Sequence, residues 1–224
     1  MDNRQSLLRL LHLVSPTLPT GAFSYSQGLE WAVESGWVHD GPTLQEWLAD
    51  LAGQSMLFVD IPTLQRMYTA CAEQQLDALD HWCSLLLACR ESSELRLEEG
   101  NRGRAMTTLL QSLKVPMANR WQQSLNRSQL AGFTLAAENW QISIQDAALG
   151  YLWAWLENQV LAGVKIIPLG QSEGQRILFH LAAIIPEMIK RGLNLEDKDI
   201  GAASPALALA SCLHENQYTR LYRS

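Results

Sequence analysis

Hydrophobic residues recur along this chain at the three- and four-residue spacing of amphipathic helices, and the alternation typical of β-strands is nearly absent. Apolar residues at positions 7–14 predict a first helix. Pro16 and Pro19 end that helix, because proline cannot donate a helical hydrogen bond. The segment that follows, SPTLPTGAFSYSQGLE at positions 15–30, is rich in proline, glycine and serine and is predicted to be non-helical at its start.

Capping and proline signals place several later helix boundaries. Thr43 and Glu46 have the spacing of a capping box, which predicts a helix start. Pro62 disfavours helical geometry in the preceding residue, so this helix is expected to stop or kink near Asp60-Ile61. Further helices are predicted over residues 63–73, 76–90, 93–113, 124–138, 145–164, 172–190 and 205–213. The prediction is one all-α, bundle-like domain over residues 1–224, with about nine or ten helices.

Composition excludes several classes of protein. The 224 residues carry 17 Lys and Arg against 23 Asp and Glu, a net charge of −6, and no basic cluster typical of nucleic-acid binding. The longest apolar stretches, 147–156 and 200–213, fall short of the roughly 18–20 residues of a membrane span. The four cysteines show no CxxC spacing and no export signal precedes them. We therefore expect a cytoplasmic protein that binds neither nucleic acid nor membrane.

The best candidate for a catalytic group is Ser26, within FSYSQG. A nucleophile elbow requires glycine two residues before the serine, where this chain has Ser24, and it follows a strand that is not predicted here. The other interpretation is structural: Gly21 permits a tight turn, Ser24 or Ser26 caps the next helix, and Gly28 allows close packing. A helical hydrolase using Ser26 is the weaker hypothesis, and we expect no enzyme.

Candidate metal ligands are few. His214 begins a pattern that resembles a zinc-protease helix, but Tyr218 replaces the second histidine. His81 and Cys83 could offer two ligands, although a helix would direct them to different faces. We expect no metal site, and a direct nickel carrier that uses His81 and Cys83 is the alternative.

Three further features each allow two interpretations. The charged segment 90–104, RESSELRLEEGNRGR, is either a solvated helix face or the rim of an interface. Large aromatics on both sides of the helix at 151–156 indicate either a central helix or an interface. Lys165, among apolar neighbours, either pairs within the chain or offers its charge to a partner.

The last residues, QYTRLYRS, form the remaining feature. They interleave tyrosine and leucine with arginine, residue types that dominate interface hot spots. This tail either docks on its own core or becomes ordered on a partner, and both possibilities remain open from the residues alone.

Four segments together resemble the UreF family of urease accessory proteins. They are LPTGAFSYSQGLEWAVESG at 18–36, CRESSELRLEEGNRGRA at 89–105, AGVKIIPLGQSEGQ at 162–175 and HENQYTRLYRS at 214–224. The resemblance implies an all-α protein that forms a homodimer, binds UreD (also called UreH) and through it recruits the GTPase UreG. It implies that the complex acts on the urease apoprotein in GTP-dependent nickel insertion. It also implies that the chain modulates GTP hydrolysis by UreG and forms part of a passage for nickel. Nickel and GTP are handled by the partners, so this chain is expected to bind no cofactor.

The resemblance also implies roles for particular residues. Residues 214–224 are expected to form a partner-binding tail, Gly21 and Gly28 to set the turn, and Lys165 to affect UreG or the apoprotein. The predicted partner-binding residues are Phe23, Tyr25, Lys165, Tyr218, Arg220, Leu221, Tyr222 and Arg223.

Overall fold

A computed structural model describes residues 3–202 and 204–224 and contains no β-strand in that part of the chain, which confirms the all-α prediction. Short 3₁₀ turns lie at Ala22–Ser24 and Asp197–Asp199, and a π-helical segment at Ala52–Asp60. The α-helices are α1 (Asn3–Leu13), α2 (Leu29–Glu34), α3 (Gly41–Leu51), α4 (Ile61–Ala72), α5 (Leu76–Ala88), α6 (Ser93–Ser112), α7 (Gln122–Leu125), α8 (Gln129–Asn139), α9 (Ile144–Ile166), α10 (Gln171–Ala182), α11 (Ile185–Leu193) and α12 (Pro205–His214).

The start of α3 differs from the predicted capping box. Asp40, not Thr43, is the N-cap residue, and its carboxylate accepts a hydrogen bond of 2.9 Å from the main-chain N–H of Thr43. Thr43 Oγ1 in turn accepts the main-chain N–H of Asp40. The reciprocal pair is therefore shifted three residues towards the N-terminus, because aspartate is at least as good a cap as threonine.

The predicted stop near Asp60-Ile61 is wrong. The chain continues from α3 through the π segment into α4, so that the described part of the chain holds eleven continuous helices. Pro62 has no N–H, which leaves the main-chain oxygen of Phe58 without its normal α-helical donor. The main-chain N–H of Gly201 supplies a hydrogen bond of 3.1 Å to that oxygen instead. The wider turns of the π segment and this outside donor let the helix pass the proline.

Helix α9 is the central element of the fold. It packs against α1, α2, α3, α4, α8, α10 and α11, which favours the interpretation of its aromatics as a central helix. The approach is close at Gly163, where an added Cβ would lie 2.5 Å from a methyl carbon of Leu44. Hydrophobic residues from nearly every helix form one continuous core around α9.

Two predicted helices are divided in the structure. The predicted helix 124–138 becomes α7 and α8, because the side chain of Ser128 accepts the N–H of Leu130 and begins a new helix. The predicted helix 172–190 becomes α10 and α11, which begins just before Pro186. Helix α2 corresponds to the helix start predicted after Ser24 or Ser26, although no bounds were predicted for it. Among the described helices, none combines the length and apolarity needed to cross a bilayer.

A docked tail and the surface it presents

The C-terminal tail, residues 215–224, is docked on the loop that precedes α2. Three donors converge on the main-chain oxygen of Ser224: the N–H of Ser26 at 2.6 Å, its hydroxyl at 2.7 Å, and the N–H of Gln27 at 3.0 Å. The N–H of Arg223 donates to the main-chain oxygen of Ser24 at 2.9 Å. In this structure the tail therefore docks on its own chain.

Glu30, the second residue of α2, anchors the tail at a second point. Its carboxylate accepts the main-chain N–H of Leu221 at 2.7 Å and that of Tyr222 at 2.9 Å. The side chain of Glu30 is buried, so these bonds are shielded from competing water. The segment SQGLE thus holds the tail with both its main-chain amides and its carboxylate.

A third anchor lies where α12 ends. Nδ1 of His214 is 2.6 Å from a carboxylate oxygen of Glu94 in α6, and Nε2 is 3.4 Å from one of Glu30. Arg220 of the tail pairs with the other oxygen of Glu94 at 2.6 Å. The tail is consequently tied to α2, α6 and the loop between residues 21 and 28.

Ser26 has a structural position. It is fully buried, its hydroxyl donates to Ser224, and the same oxygen accepts the N–H of Glu30 at 3.3 Å. The predicted capping role of Ser24 or Ser26 is wrong in its strict form, because Gly28 is the N-cap of α2. Ser26 nevertheless satisfies one main-chain N–H in the first turn of that helix.

The two glycines predicted at this turn both have left-handed backbone geometry. Gly21 has a φ of 74° and Gly28 a φ of 79°, a region that other residues enter only with strain. At Gly28 an added Cβ would also lie 3.0 Å from the main-chain nitrogen of Ser211 and 3.1 Å from Cβ of Ala210. Gly28 therefore lets the loop pack directly on α12.

The side chains of Arg90, Glu98 and Glu99 in the charged segment 90–104 pair inside the protein, so at these positions the segment is neither a solvated face nor an interface rim. Arg90 makes two hydrogen bonds to Asp60, at 2.7 and 3.1 Å, and an ion pair to Glu99 at 3.2 Å. The Asp60 side chain is only 2% exposed. Tyr151 of α9 donates to Asp60 at 3.1 Å. These charged side chains can be buried because each one has an oppositely charged or hydrogen-bonding partner inside the protein.

Burial and charge fix the protonation of this network. Burial, with the charges of Asp60 and Glu99, raises the pKa of Tyr151 well above its usual value, so the phenol remains a donor. Burial alone would raise the pKa of Glu99, but the charges of Arg90 and Arg102 outweigh it and hold that pKa below its usual value. Glu99 is therefore an anion at neutral pH.

The neighbouring Glu98 connects this region to the tail. It accepts Arg102 at 2.6 Å and the side-chain amide of Gln27 at 3.0 Å, and its second oxygen accepts the hydroxyl of Ser224 at 3.2 Å. Gln27 also accepts the indole N–H of Trp155 at 2.8 Å. The end of the tail is thus bound to α6, and through Gln27 to α9.

The predicted partner-binding residues divide into two groups. Tyr25 and Tyr222 are buried inside this chain, at 4% and 8% exposure, so in this conformation they offer no surface to a partner. Leu221 is 74% exposed, Phe23 is 64% exposed and Tyr218 is fully exposed. Arg220 and Arg223 also lie at the surface.

The outer face of α12, the helix that leads into the tail, is also apolar, a feature that was not predicted from the sequence. Its exposed residues, which include Leu209, Cys212 and Leu213, are apolar, although a helix at a solvated surface normally carries polar residues there. The absence of a polar stripe in PALALASCLH is the sequence signal for it. We use the name tail surface for the exposed residues Phe23, Leu209, Leu213, Tyr218, Arg220, Leu221 and Arg223.

Lys165 is exposed in the last turn of α9 and lines the same cleft as Phe23. Asn158, two turns earlier on the same helix face, donates to the main-chain oxygen of Ala22 at 3.2 Å and so holds that loop. Within residues 3–202 and 204–224, the ammonium group of Lys165 makes no ion pair. This placement favours the interpretation in which Lys165 offers its charge to a partner over the one in which it pairs within the chain.

The structure does not bring His81 and Cys83 together. His81 is exposed, whereas Cys83 is fully buried and burial raises the pKa of its thiol to about 12. Burial keeps this thiol protonated at neutral pH and away from the exposed ring of His81, whereas metal ions bind the thiolate. In the part of the chain that the structure describes, no group of three His, Cys, Asp or Glu side chains is arranged to hold a metal ion.

Comparison with known proteins identifies the family. A family model described as UreF matches residues 38–182. A urease accessory protein UreF from Alcanivorax borkumensis is 48% identical over 99% of this chain and 100% of its own length. The chain belongs to the UreF family. UreF proteins of Pseudomonas putida strain W619 and Escherichia coli O157:H7 are 46% and 42% identical, each over 100% of both chains.

The similarity to UreF proteins extends through the docked tail. The match to the family model ends at residue 182, but the relatives from Pseudomonas putida and Escherichia coli align over the whole chain, which includes the loop at 21–28 and the tail. The resemblance carried by the four sequence segments is thereby confirmed. All three relatives carry the name of an accessory protein and not of an enzyme.

Proposed function

We propose that this chain is a cytoplasmic adaptor in urease maturation. It binds UreD (UreH) and through it recruits the GTPase UreG to the urease apoprotein, where nickel is inserted at the expense of GTP. It performs no catalysis and binds no cofactor, and nickel and GTP are held by its partners. The observation that carries the proposal is the tail surface, which exposes apolar side chains and two arginines on a chain whose relatives are named urease accessory proteins.

The tail surface suits a protein partner in physical terms. It exposes large side chains, including Leu221 and Tyr218, and their burial against a partner would lower the free energy of the complex. Arg223 lies beside Leu221 and can pair with a carboxylate of the partner, and Arg220 has N–H donors beyond the one that pairs with Glu94. The main chain below is already held by Glu30 and Ser26. Binding therefore costs less conformational entropy than it would with an undocked tail, and this smaller cost favours a higher affinity.

The test is complex formation with a UreD homologue. In the variant Tyr218→Ser/Leu221→Ser both side chains are exposed, so folding should be unchanged and affinity should fall at least about tenfold, typical of an interface hot spot. Phe179→Ser is the matched control, because Phe179 is 77% exposed on α10 outside the tail surface. Equal binding by all three proteins, measured by calorimetry, would contradict the proposed surface.

Point variants test the tail more sharply than truncation after residue 213. Truncation removes His214 and Ser224, whose hydrogen bonds also stabilise the loop and α2. Lost binding could then reflect a disturbed fold. The double variant leaves every tail anchor in place.

A second surface suits the homodimer. Helix α1 buries Leu10 and Leu13 but leaves Leu7, Leu8 and Leu11 between 55% and 66% exposed, so it is apolar on both sides. A second copy can cover this outer side, which lies apart from the tail surface along the chain. Leu8→Glu should lower the mass measured by light scattering to that of a monomer, and an unchanged dimer would contradict this placement.

A further inference from the structure

Trp37 is an exposed tryptophan that the fold holds in one position. It follows the end of α2, where its main-chain N–H donates to the main-chain oxygen of Ala32 at 2.8 Å. The N–H of Gly36 donates to the oxygen of Val33 at 3.0 Å, and Gly36 has a φ of 78°, so the helix ends in a Schellman motif. The ring of Trp37 lies edge-on to that of Trp31, with 4.9 Å between the ring centroids. The backbone and a neighbouring ring therefore fix this side chain.

The contact with Trp31 leaves much of the Trp37 ring uncovered. Trp37 also lies against Trp47 of α3, with 6.3 Å between the centroids, yet it remains 42% exposed. The hydrophobic contact of a Schellman motif requires only an apolar side chain. A tryptophan is a residue type that dominates binding hot spots, and one that is already fixed loses little conformational entropy when a partner covers it. Trp37 is thus prepared for binding.

The charge around the three tryptophans is negative. Residues 31–50 contain no lysine or arginine but four acidic residues: Glu34, Asp40, Glu46 and Asp50. Glu34 lies one helical turn after Trp31 and is exposed, and Asp50 lies one turn after Trp47 and is also exposed. In the described part of the chain, no lysine or arginine pairs with Glu34, Glu46 or Asp50. Indole faces and carboxylates both attract cations, and a guanidinium can stack on one while it pairs with the other.

We propose that Trp37, together with Glu34 and Asp50, docks an arginine side chain of the partner that covers the tail surface. The side-chain amide of Gln217 in the tail donates to the carboxylate of Glu34, so the two surfaces meet at this residue. Tyr218, the next residue, belongs to the tail surface. One partner can therefore cover both. The identity of this partner rests on the proposed function, whereas the preference of the site for a guanidinium does not.

A peptide titration of the intact protein tests the chemistry of the site. The probes are two peptides of equal length and charge, one of alternating arginine and glycine and one of alternating lysine and glycine. The indole N–H signal of Trp37 is followed by NMR and is assigned by its loss in Trp37→Leu. We expect the arginine peptide to shift this signal with at least about threefold higher affinity than the lysine peptide, because the planar guanidinium stacks on the ring. No shift, or equal affinity for the two peptides, would overturn the proposal.

Variants extend the test to the partner. Trp37→Leu keeps an apolar contact with Trp31 but has no aromatic face, so it should lower the affinity for a UreD homologue about fivefold. Trp37→Phe keeps an aromatic face and should lose less. Glu34→Gln/Asp50→Asn should make the affinity less sensitive to salt. Asp77→Asn is the matched control, because Asp77 is exposed on α5, and it should leave the salt dependence unchanged.

The outcomes distinguish this proposal from the proposed function. If Tyr218→Ser/Leu221→Ser weakens the complex and Trp37→Leu does not, the tail surface stands and its extension to Trp37 is overturned. If the unaltered chain binds no UreD homologue, the proposed function is contradicted and the identity of the partner is overturned with it. The peptide titration then still decides whether the site selects arginine.

Discussion

Replacing Arg90 by methionine should destabilise the protein far more than its place at a helix boundary suggests. Arg90 is 14% exposed, and its two carboxylate partners Asp60 and Glu99 are 2% and 10% exposed. Methionine keeps the apolar length of the side chain but leaves both carboxylates without their principal cation. Removing one partner of a buried ion pair typically costs about 3–5 kcal/mol. We expect about 3 kcal/mol, because Arg102 lies near enough to lower the pKa of Glu99.

The assay is urea unfolding followed by tryptophan fluorescence and circular dichroism, with agreement of the two probes as the test of a single transition. Arg104→Met is the matched control, since Arg104 is exposed on α6, and it should cost less than about 0.5 kcal/mol. Arg90→Met/Asp60→Asn should recover part of the loss, because it removes one uncompensated charge and leaves an acceptor for Tyr151.

The pH dependence gives an independent check. The pKa of Glu99 is held below its usual value, so Glu99 contributes stability above the unfolded pKa of about 4.3 and loses it as pH falls. Arg90→Met should reduce this acid dependence. A loss in Arg90→Met no larger than that in Arg104→Met would refute the reasoning, since Asp60 and Glu99 would then not depend on Arg90.

Three further predictions concern separate sites. Gly21→Ala should cost about 1 kcal/mol from its left-handed backbone alone, and Gly28→Ala clearly more, because its Cβ also meets α12; equal urea midpoints would contradict this. Cys212 is exposed and should be alkylated in the folded protein at about pH 8. Burial raises the pKa values of Cys71 and Cys83 to about 12, so these two thiols should react only after unfolding. Mass spectrometry of the alkylated protein measures the difference. Lys165→Ala should fold normally and lower urease activation in a reconstituted assay, whereas Lys190→Ala, an exposed lysine of α11, should not; full activity of Lys165→Ala would remove Lys165 from the functional surface.

The long helices can be predicted from the sequence, but the site around α2 cannot. The predicted helix 93–113 agrees with α6 to within one residue, because its N-cap signal at Ser92 and its length are both strong. Helix α2 has only six residues and its N-cap is Gly28, so it has neither enough length for a periodic pattern nor a side chain at the capping position. Anchors that use main-chain amides, such as those on Glu30, leave no pattern of side chains to recognise.

Buried charge was the other limit of prediction from sequence. In a helical pattern, Glu98 and Arg102 look the same whether they face solvent or each other in the interior. The partner that decides the position of Arg90 is Asp60, which is 30 positions away in the chain and enters the site through the π segment. Only the three-dimensional arrangement shows that these charges are internal.

The contact between Ser26 and Ser224 joins positions 198 apart in the sequence. During synthesis, the loop, Glu30 and α6 leave the ribosome well before the residues that complete them. The nascent protein therefore exposes unfilled donors and acceptors until residues 221–224 are made, and closing so long a loop is an entropically costly step. Docking of these residues is thus expected to be a late step of folding, which follows the formation of α2 and α6.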